Sequence, residues 1–222
     1  MVYSYSYPHP SVTTDIVIFT IHDQQLELLL VQRRGEPYKN FWALPGGFVG
    51  IDEGLETCAL RELEEETGVT GVYLEQLYTF GAPDRDPRER VVSVAYYALV
   101  PPDRLKIRAS SDARDVAWFR VNKLPPLAFD HDLIVAMAHK RLAAKFDYST
   151  IALQFMPKKF TLSELQRVHE TVHGGTLDKR NFRKRVLALD CIRDTGESRR
   201  NGKHRPARLY SVKSPGRVEF IK

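Results

Sequence analysis

Three glutamates, Glu62, Glu65 and Glu66, stand within five positions of one another in the run GFVGIDEGLETCALRELEEETGV, Gly47 to Val69. On a helix, Glu62 and Glu66 are four apart and share a face, with Glu65 three after Glu62. Carboxylates so close repel one another unless a cation neutralises them. Hard oxygen donors favour Mg²⁺ or Mn²⁺, which retain waters and bind substrate phosphates as well. A metal there offsets diphosphate charge and activates a water for attack on phosphorus. Arg61 precedes Glu65 by four and can pair with it and orient it. The Gly46-Gly47 turn lets the main chain come close, which makes Gly46 a metal-ligand candidate and Gly47 a substrate-side one. A lone glutamate would read as a solvated helix face. Three such glutamates together, with Arg61 among them and a glycine turn before them, leave that reading little room.

The elements that must hold these residues follow from pattern. Val12–Ile21 is rich in β-branched residues and predicts a strand, His22–Gln25 its turn, and Leu26–Gln32 a second strand. Arg33–Asn40 is a polar loop, followed by the apolar patch Phe41–Leu44. Gly54–Thr67 predicts a helix with Leu55, Ala59 and Leu63 on one face, ended by Gly68. Val69–Phe80, Val91–Val100 and Val116–Phe119 read as strands. Ala128–Phe146 reads as an amphipathic helix with Leu133, Ala136, Met137 and Leu142 on one side. Strands alternating with a helix give a mixed α/β domain.

Beyond a junction at Asp147–Pro157, Thr161-Leu-Ser-Glu164 matches a capping box. A helix follows it, then the break Gly174-Gly175, then a second helix capped by Asp178 and running to about Leu189. Cys191–Asp194 and Ala207–Val212 read as short strands around a basic loop, Thr195–Pro206. Helix, turn, helix, hairpin is the order of a winged helix-turn-helix.

Charge divides the chain in the same place. Residues 1–150 hold 16 Lys and Arg against 21 Asp and Glu, a balance of −5; residues 151–222 hold 17 against 7, a balance of +10. An acidic unit suits cations, and a basic one suits phosphates, most often nucleic acid. Of the 222 residues, 43% are hydrophobic and 27% charged, enough apolar material for a core. Two cysteines make no disulfide framework, the N-terminus lacks signal-peptide character, and no apolar run reaches membrane-span length, so a cytoplasmic protein with no membrane partner is expected.

The Gly47–Val69 run resembles the signature of the Nudix family without a departure. The resemblance implies an α/β fold, a Nudix α/β/α sandwich with a mixed sheet, and hydrolysis of a nucleoside diphosphate linked to another moiety. It implies metal binding by Glu62, Glu65 and Glu66, with Arg61 and Glu53 completing the catalytic set and Glu53 supporting the loop–helix geometry. Further segments (QRRGEPYKNFWALPGGFV, APDRDPRERVVSVAYYALV, LAFDHDLIVAMAHKRL, FTLSELQRVHE and LDKRNFRKRVL) are similar to the Nudix-related, NrtR-like transcriptional regulators of NAD metabolism and their ADP-ribose-hydrolysing relatives. That likeness implies a Nudix domain at 1–148 and a DNA-binding winged helix at 149–222. It implies an ADP-ribose-type ligand, with Phe80, Arg85, Asp86 and Arg88 lining its pocket. A general base is sought among Asp84, Asp86, Glu89 and Asp112.

Lys179, Arg180, Asn181, Arg183, Lys184 and Arg185 cluster on the second helix of the helix-turn-helix. Arg180 and Asn181 suit guanine and adenine edges in a major groove; the four others suit phosphates. Arg199, Arg200, Lys203 and Arg205 would follow the DNA backbone from the wing. His169, His173 and His204 read as ordinary surface residues, since no Cys/His spacing supports zinc. Two function classes stand. One is a homodimeric regulator that senses ADP-ribose on double-stranded DNA and retains hydrolysis at some level. The alternative is an ADP-ribose pyrophosphatase whose C-terminal part serves oligomerisation or docking.

Overall fold

The computed structural model describes residues 6–104, 113–200 and 206–221. Asp112, Lys203, His204 and Arg205 lie outside them. Strands β1 (Ser11–His22) and β2 (Gln25–Arg33) form a hairpin. Its turn needs only Asp23 and Gln24, both in the left-handed region, with φ of 46° and 59°. That backbone matches the twist of the flanking strands. β3 (Trp42–Ala43) and β4 (Gly46–Phe48) follow, then helix α1 (Leu55–Thr67), β5 (Tyr73–Phe80), β6 (Val91–Val100) and β7 (Ala113–Arg120). The sheet runs β3-β2-β1-β6-β5, with β4 also on β1 and β7 on β2. Central β1 and β6 are buried along most of their length, as strands covered on both faces must be.

Two expectations shift for backbone reasons. The strand after α1 begins at Tyr73, not Val69, because Gly68 and Gly71 both take left-handed φ and turn the chain first. Helix α2 runs His131–Tyr148 instead of starting at Ala128, since Phe129 has φ 55°, which no helical residue adopts. The packed stripe of α2 is also rotated from the expected one. Ile134, Ala138, Leu142 and Phe146 are buried, whereas Leu133 is 59% exposed. In α1 the buried side is Cys58, Ala59, Leu63 and Thr67, with Leu55 partly exposed.

Two compact units result. One comprises Met1–Ile18, Leu28–Ala98 and Lys106–Ala138; the other Phe19–Glu27, Leu99–Leu105 and His139–Lys222. In the second, the junction is no open linker: Ile151–Phe155 is a buried 3₁₀ turn. Helix α3 (Leu162–His173) carries the full capping box, with Glu164 N–H donating to Thr161 Oγ1 and Thr161 N–H to Glu164. Helix α4 (Lys179–Ala188) is capped by Asp178 and buries Phe182 and Val186. β8 (Ile192–Arg199) and β9 (Ala207–Val212) form the hairpin, β8 reaching five residues beyond the expected end at Asp194. No helix among the described residues is long and apolar enough to cross a membrane.

Candidate functional site

The loop between β3 and α1 brings glycine against glutamate. β4 pairs with β1 in the register Asp15–Gly46, Thr14–Gly47, Thr13–Phe48. A side chain at position 46 would collide with the Thr14 carbonyl, which is backbone and cannot yield, so only glycine fits. A side chain at 47 would strike the Glu62 carboxylate. The Gly46 N–H donates to Glu66 Oε2 at 2.9 Å. Two of the expected carboxylates thus lie against the Gly46-Gly47 main chain.

Arg61 ties the remaining acids together. Its Nε and Nη2 donate to the two Glu53 oxygens at 2.8 and 2.9 Å, and Nη1 to Glu62 at 2.7 Å and Glu65 at 3.1 Å. The expected Arg61–Glu65 pair is present, but it is the longest of these contacts. Bidentate pairing with Arg61, then the Gly50 N–H, holds the Glu53 carboxyl down to about 2. The same contacts, Glu53 first, raise the pKa of Arg61. Among the described residues, no three of His, Cys, Asp or Glu already form a ligand set. The physical reason is on view: Arg61 supplies the neutralising charge, and Glu66 is turned to Gly46. The donor chemistry, all hard oxygen beside a side-chain-free glycine turn, fits Mg²⁺ or Mn²⁺.

Two cavities flank Gly46. One, of about 200 Å³, is lined by Arg33, Leu44, Gly46 and Glu66 among others. The second, of about 140 Å³, shares Arg33, Leu44 and Gly46 and adds Gly47, Arg88 and Phe129. Of the pocket residues expected from the family likeness, Arg85, Asp86 and Arg88 all line the second cavity. Arg88 lies 5.6 Å from the Phe48 ring centre and 5.7 Å from that of Phe129, sandwiched by cation–π contacts. Asp86 holds it at 2.7 and 3.0 Å. Arg85 is buried and paired, with Nε and Nη2 on both oxygens of Asp130 and a longer contact to Asp15. It braces the cavity wall. Phe80 sits on β5 against Tyr78 and lines neither cavity.

For the general base, Asp86 is engaged by Arg88 and Glu89 accepts from Ser11, while Asp84 is exposed. Sequence reasoning passed over Asp15 and His131. His131 is buried; its Nδ1 accepts from the Leu44 N–H at 2.9 Å, and Nε2 lies 3.5 Å from Asp15. Desolvation lowers its pKa and keeps the ring neutral. The contact fixes the strand leading into Gly46. No periodicity announces it, because the partners are 87 residues apart.

In the second unit all six α4 candidates, Lys179, Arg180, Asn181, Arg183, Lys184 and Arg185, are exposed. None of the five cations forms an ion pair with a described residue. Arg199 differs: it lies in β8 and pairs with Glu164 at the start of α3, so it braces the domain. Arg200 is exposed. His169 is no surface residue. It is 6% exposed, packed between Phe146 and Phe182, and burial drives its pKa down to about 3.

The family profile of the NUDIX domain matches residues 11–138, and that of the NrtR DNA-binding winged helix domain matches residues 152–212. The chain belongs to the Nudix family. Its fold is a Nudix domain of mixed sheet and helices with a C-terminal winged helix domain. It is 41% identical over 208 residues to the "ADPR responsive transcriptional repressor NtrR" of Acinetobacter baylyi, covering 92% of this chain and 82% of that protein. It is 40% identical over 129 residues to an ADP-ribose pyrophosphatase of Methanocaldococcus jannaschii, covering 58% of this chain and 73% of that enzyme. The structure of Shewanella oneidensis NrtR complexed with a 27mer DNA aligns with a TM-score of 0.83 at 42% identity, over 91% of this chain and 93% of that one. A Nudix domain brings hydrolase capacity, and Nudix hydrolases generally use divalent metal ions.

Proposed function

We propose that this chain is an ADP-ribose-responsive transcriptional repressor of NAD-metabolism genes. Residues 1–148 serve as the effector-binding Nudix domain and residues 149–222 as the DNA-binding winged helix. The observation that carries this reading is likeness to a repressor over 92% of the chain, where a hydrolase relative matches 58% of it. The exposed basic face of α4, without an ion pair to any described residue, supports it, since such cations can neutralise phosphates and release counterions without first breaking an internal pair. Arg180 and Asn181 read base edges, Lys179, Arg183, Lys184, Arg185 and Arg200 hold the backbone, and Arg199 sets the wing. Reading a palindrome calls for a homodimer.

The intact carboxylates favour retained hydrolysis of the effector. Mg²⁺ or Mn²⁺, when bound by Glu62, Glu65, Glu66 and the main chain at Gly46, supplies a Lewis acid and an activated water. Arg61 orients Glu62 and Glu65 and anchors them to Glu53. Arg88 offers its guanidinium to the diphosphate beside Phe129, and Gly47 leaves the approach open. A DNA-shift assay on the chain's own promoter, with and without ADP-ribose, tests regulation; no specific shift at physiological salt sinks it. Incubation of ADP-ribose with Mg²⁺ tests hydrolysis through release of AMP and ribose 5-phosphate, and no AMP after long incubation sinks the enzyme claim.

A further inference from the structure

The turn that joins α3 to α4 is not shaped by packing. Among the described residues, chain neighbours aside, no atom lies within 4 Å of where a side chain would begin on Gly174 or Gly175. Thr176 and Asp178 to Asn181 are exposed, and α4 buries its first side chain only at Phe182. Leu177 alone in this stretch is partly buried. A chain with two glycines in sequence is free to take many paths unless something pins it.

Hydrogen bonds from α3 do the pinning, and Glu170 holds both ends of the turn. Its main-chain carbonyl accepts from the Gly174 N–H at 2.9 Å, and its Oε1 accepts from the Leu177 N–H at 2.8 Å. Gln166 stands one helical turn earlier on the same face. Its Nε2 donates to that Glu170 oxygen at 2.9 Å and to the Leu177 carbonyl at 2.9 Å. Both main-chain groups of Leu177 therefore end on side chains of α3. The next residue is Asp178, the N-cap of α4, which accepts from the Asn181 N–H at 2.8 Å. An ionised acceptor makes such bonds strong. The Leu177 N–H first, then Gln166, hold the Glu170 carboxyl below the usual carboxylate range.

We propose that Glu170 is a positioning residue for DNA reading: with Gln166 it fixes Leu177, and so sets the direction in which the first turn of α4 presents Arg180 and Asn181 to base edges. The proposal rests on the reading of α4 as the DNA-reading helix. Base contacts need paired donors and acceptors to meet an edge at set angles, whereas phosphate contacts carry no sequence information. Loss of the clamp therefore costs specificity before it costs general affinity. Charge alone would act in the opposite sense. A carboxylate repels phosphate, so removing one that acted only through its charge would tighten binding to every DNA.

The test uses the full chain and two DNA duplexes: one selected by wild type from a random-sequence pool, and the same duplex scrambled. Affinity and salt dependence are measured for wild type, Glu170→Ala and Glu170→Gln. Glu170→Ala should lose roughly tenfold on the selected duplex and hold the scrambled one with the same salt slope, because every cation of α4 is still in place. Glu170→Gln, whose amide oxygen still accepts from Leu177, should recover most of the loss. An equal loss on both duplexes with a lower melting temperature marks a merely structural residue and overturns the proposal. Tighter binding of both assigns Glu170 to bulk charge and overturns it as well. Should Glu170→Ala not fold, Gln166→Ala decides: a smaller loss confined to the selected duplex supports the proposal, and an unchanged ratio overturns it. Wild type that selects no duplex overturns the reading of α4 itself, and the proposal with it; a selected duplex that Glu170→Ala holds as tightly as wild type overturns the proposal alone.

Discussion

Helices α1 and α4 each collect charges of one sign, and the protein treats them in opposite ways. On α1, Arg61 cross-links Glu53, Glu62 and Glu65, and Glu66 is held by the Gly46 N–H. On α4 five cations stand in solvent with no ion-pair partner among the described residues. On the proposed function, the difference reflects what each face would meet. A small metal with a diphosphate demands oxygen atoms at fixed positions, so the acids are oriented in advance. A DNA backbone is a long line of charge that mobile side chains can follow, so restraint would cost affinity without adding fit.

Breaking the restraint on α1 is expected to have the largest effect. Arg61→Ala frees Glu53, Glu62 and Glu65 and should lower Mg²⁺-dependent AMP release from ADP-ribose by roughly 10–100-fold, the usual cost of losing a group that orients metal ligands. Arg61→Ala retaining wild-type activity would show that the tie is structural only. DNA binding by this variant should stay unchanged, which separates the two helices.

On α4 the effects should be smaller and of two kinds. Arg180→Ala should cost about 1–3 kcal/mol and relax specificity at one base position; Lys184→Ala should weaken all sequences alike and lower the salt slope by about 1. Equal loss on every sequence for both variants would mean that α4 reads charge alone.

Acid should separate the units as well. His169 has a pKa of about 3 when folded against 6.5 ordinarily. The unfolded chain therefore binds the extra proton between those values. Stability from the neutral ring is complete above 6.5 and declines as pH falls towards about 3, by about 1.4 kcal/mol per pH unit. The Glu53 carboxyl, depressed to about 2, keeps its tie to Arg61 until far lower pH. Denaturation followed from pH 7 to 4 should show both units weakening, since burial lowers the His131 pKa as well, and His169→Phe should flatten the profile of the winged helix unit alone. A profile unaltered by that substitution would assign the acid sensitivity elsewhere.

The smallest effect belongs to Thr161→Ala, which removes one capping bond from α3 and should cost about 1 kcal/mol in the winged helix unit. Hydrolysis should not change; a drop in AMP release would mean that the comparison between independent helices is drawn too sharply.

Local signals were legible in the chain before any folding. Spacing alone places Glu62, Glu65 and Glu66 on one helix, Gly68 at its end, Thr161 and Glu164 in a capping box, and the +10 balance behind them. Each depends on neighbours within a few residues, where helix geometry is fixed. Tertiary structure decided the rest. It bound Arg61 to Glu53 and Glu62 as well as to Glu65, buried Arg85 in a carboxylate pair, and paired Arg199, at the end of β8, with Glu164. It carried His131 to Leu44 and buried His169 between two phenylalanines. Residue type and spacing state what a side chain can do. Apart from the Arg61 ties, which span one and eight positions, the partner it meets depends on contacts across 13 to 87 positions, and those exist only once the chain has folded.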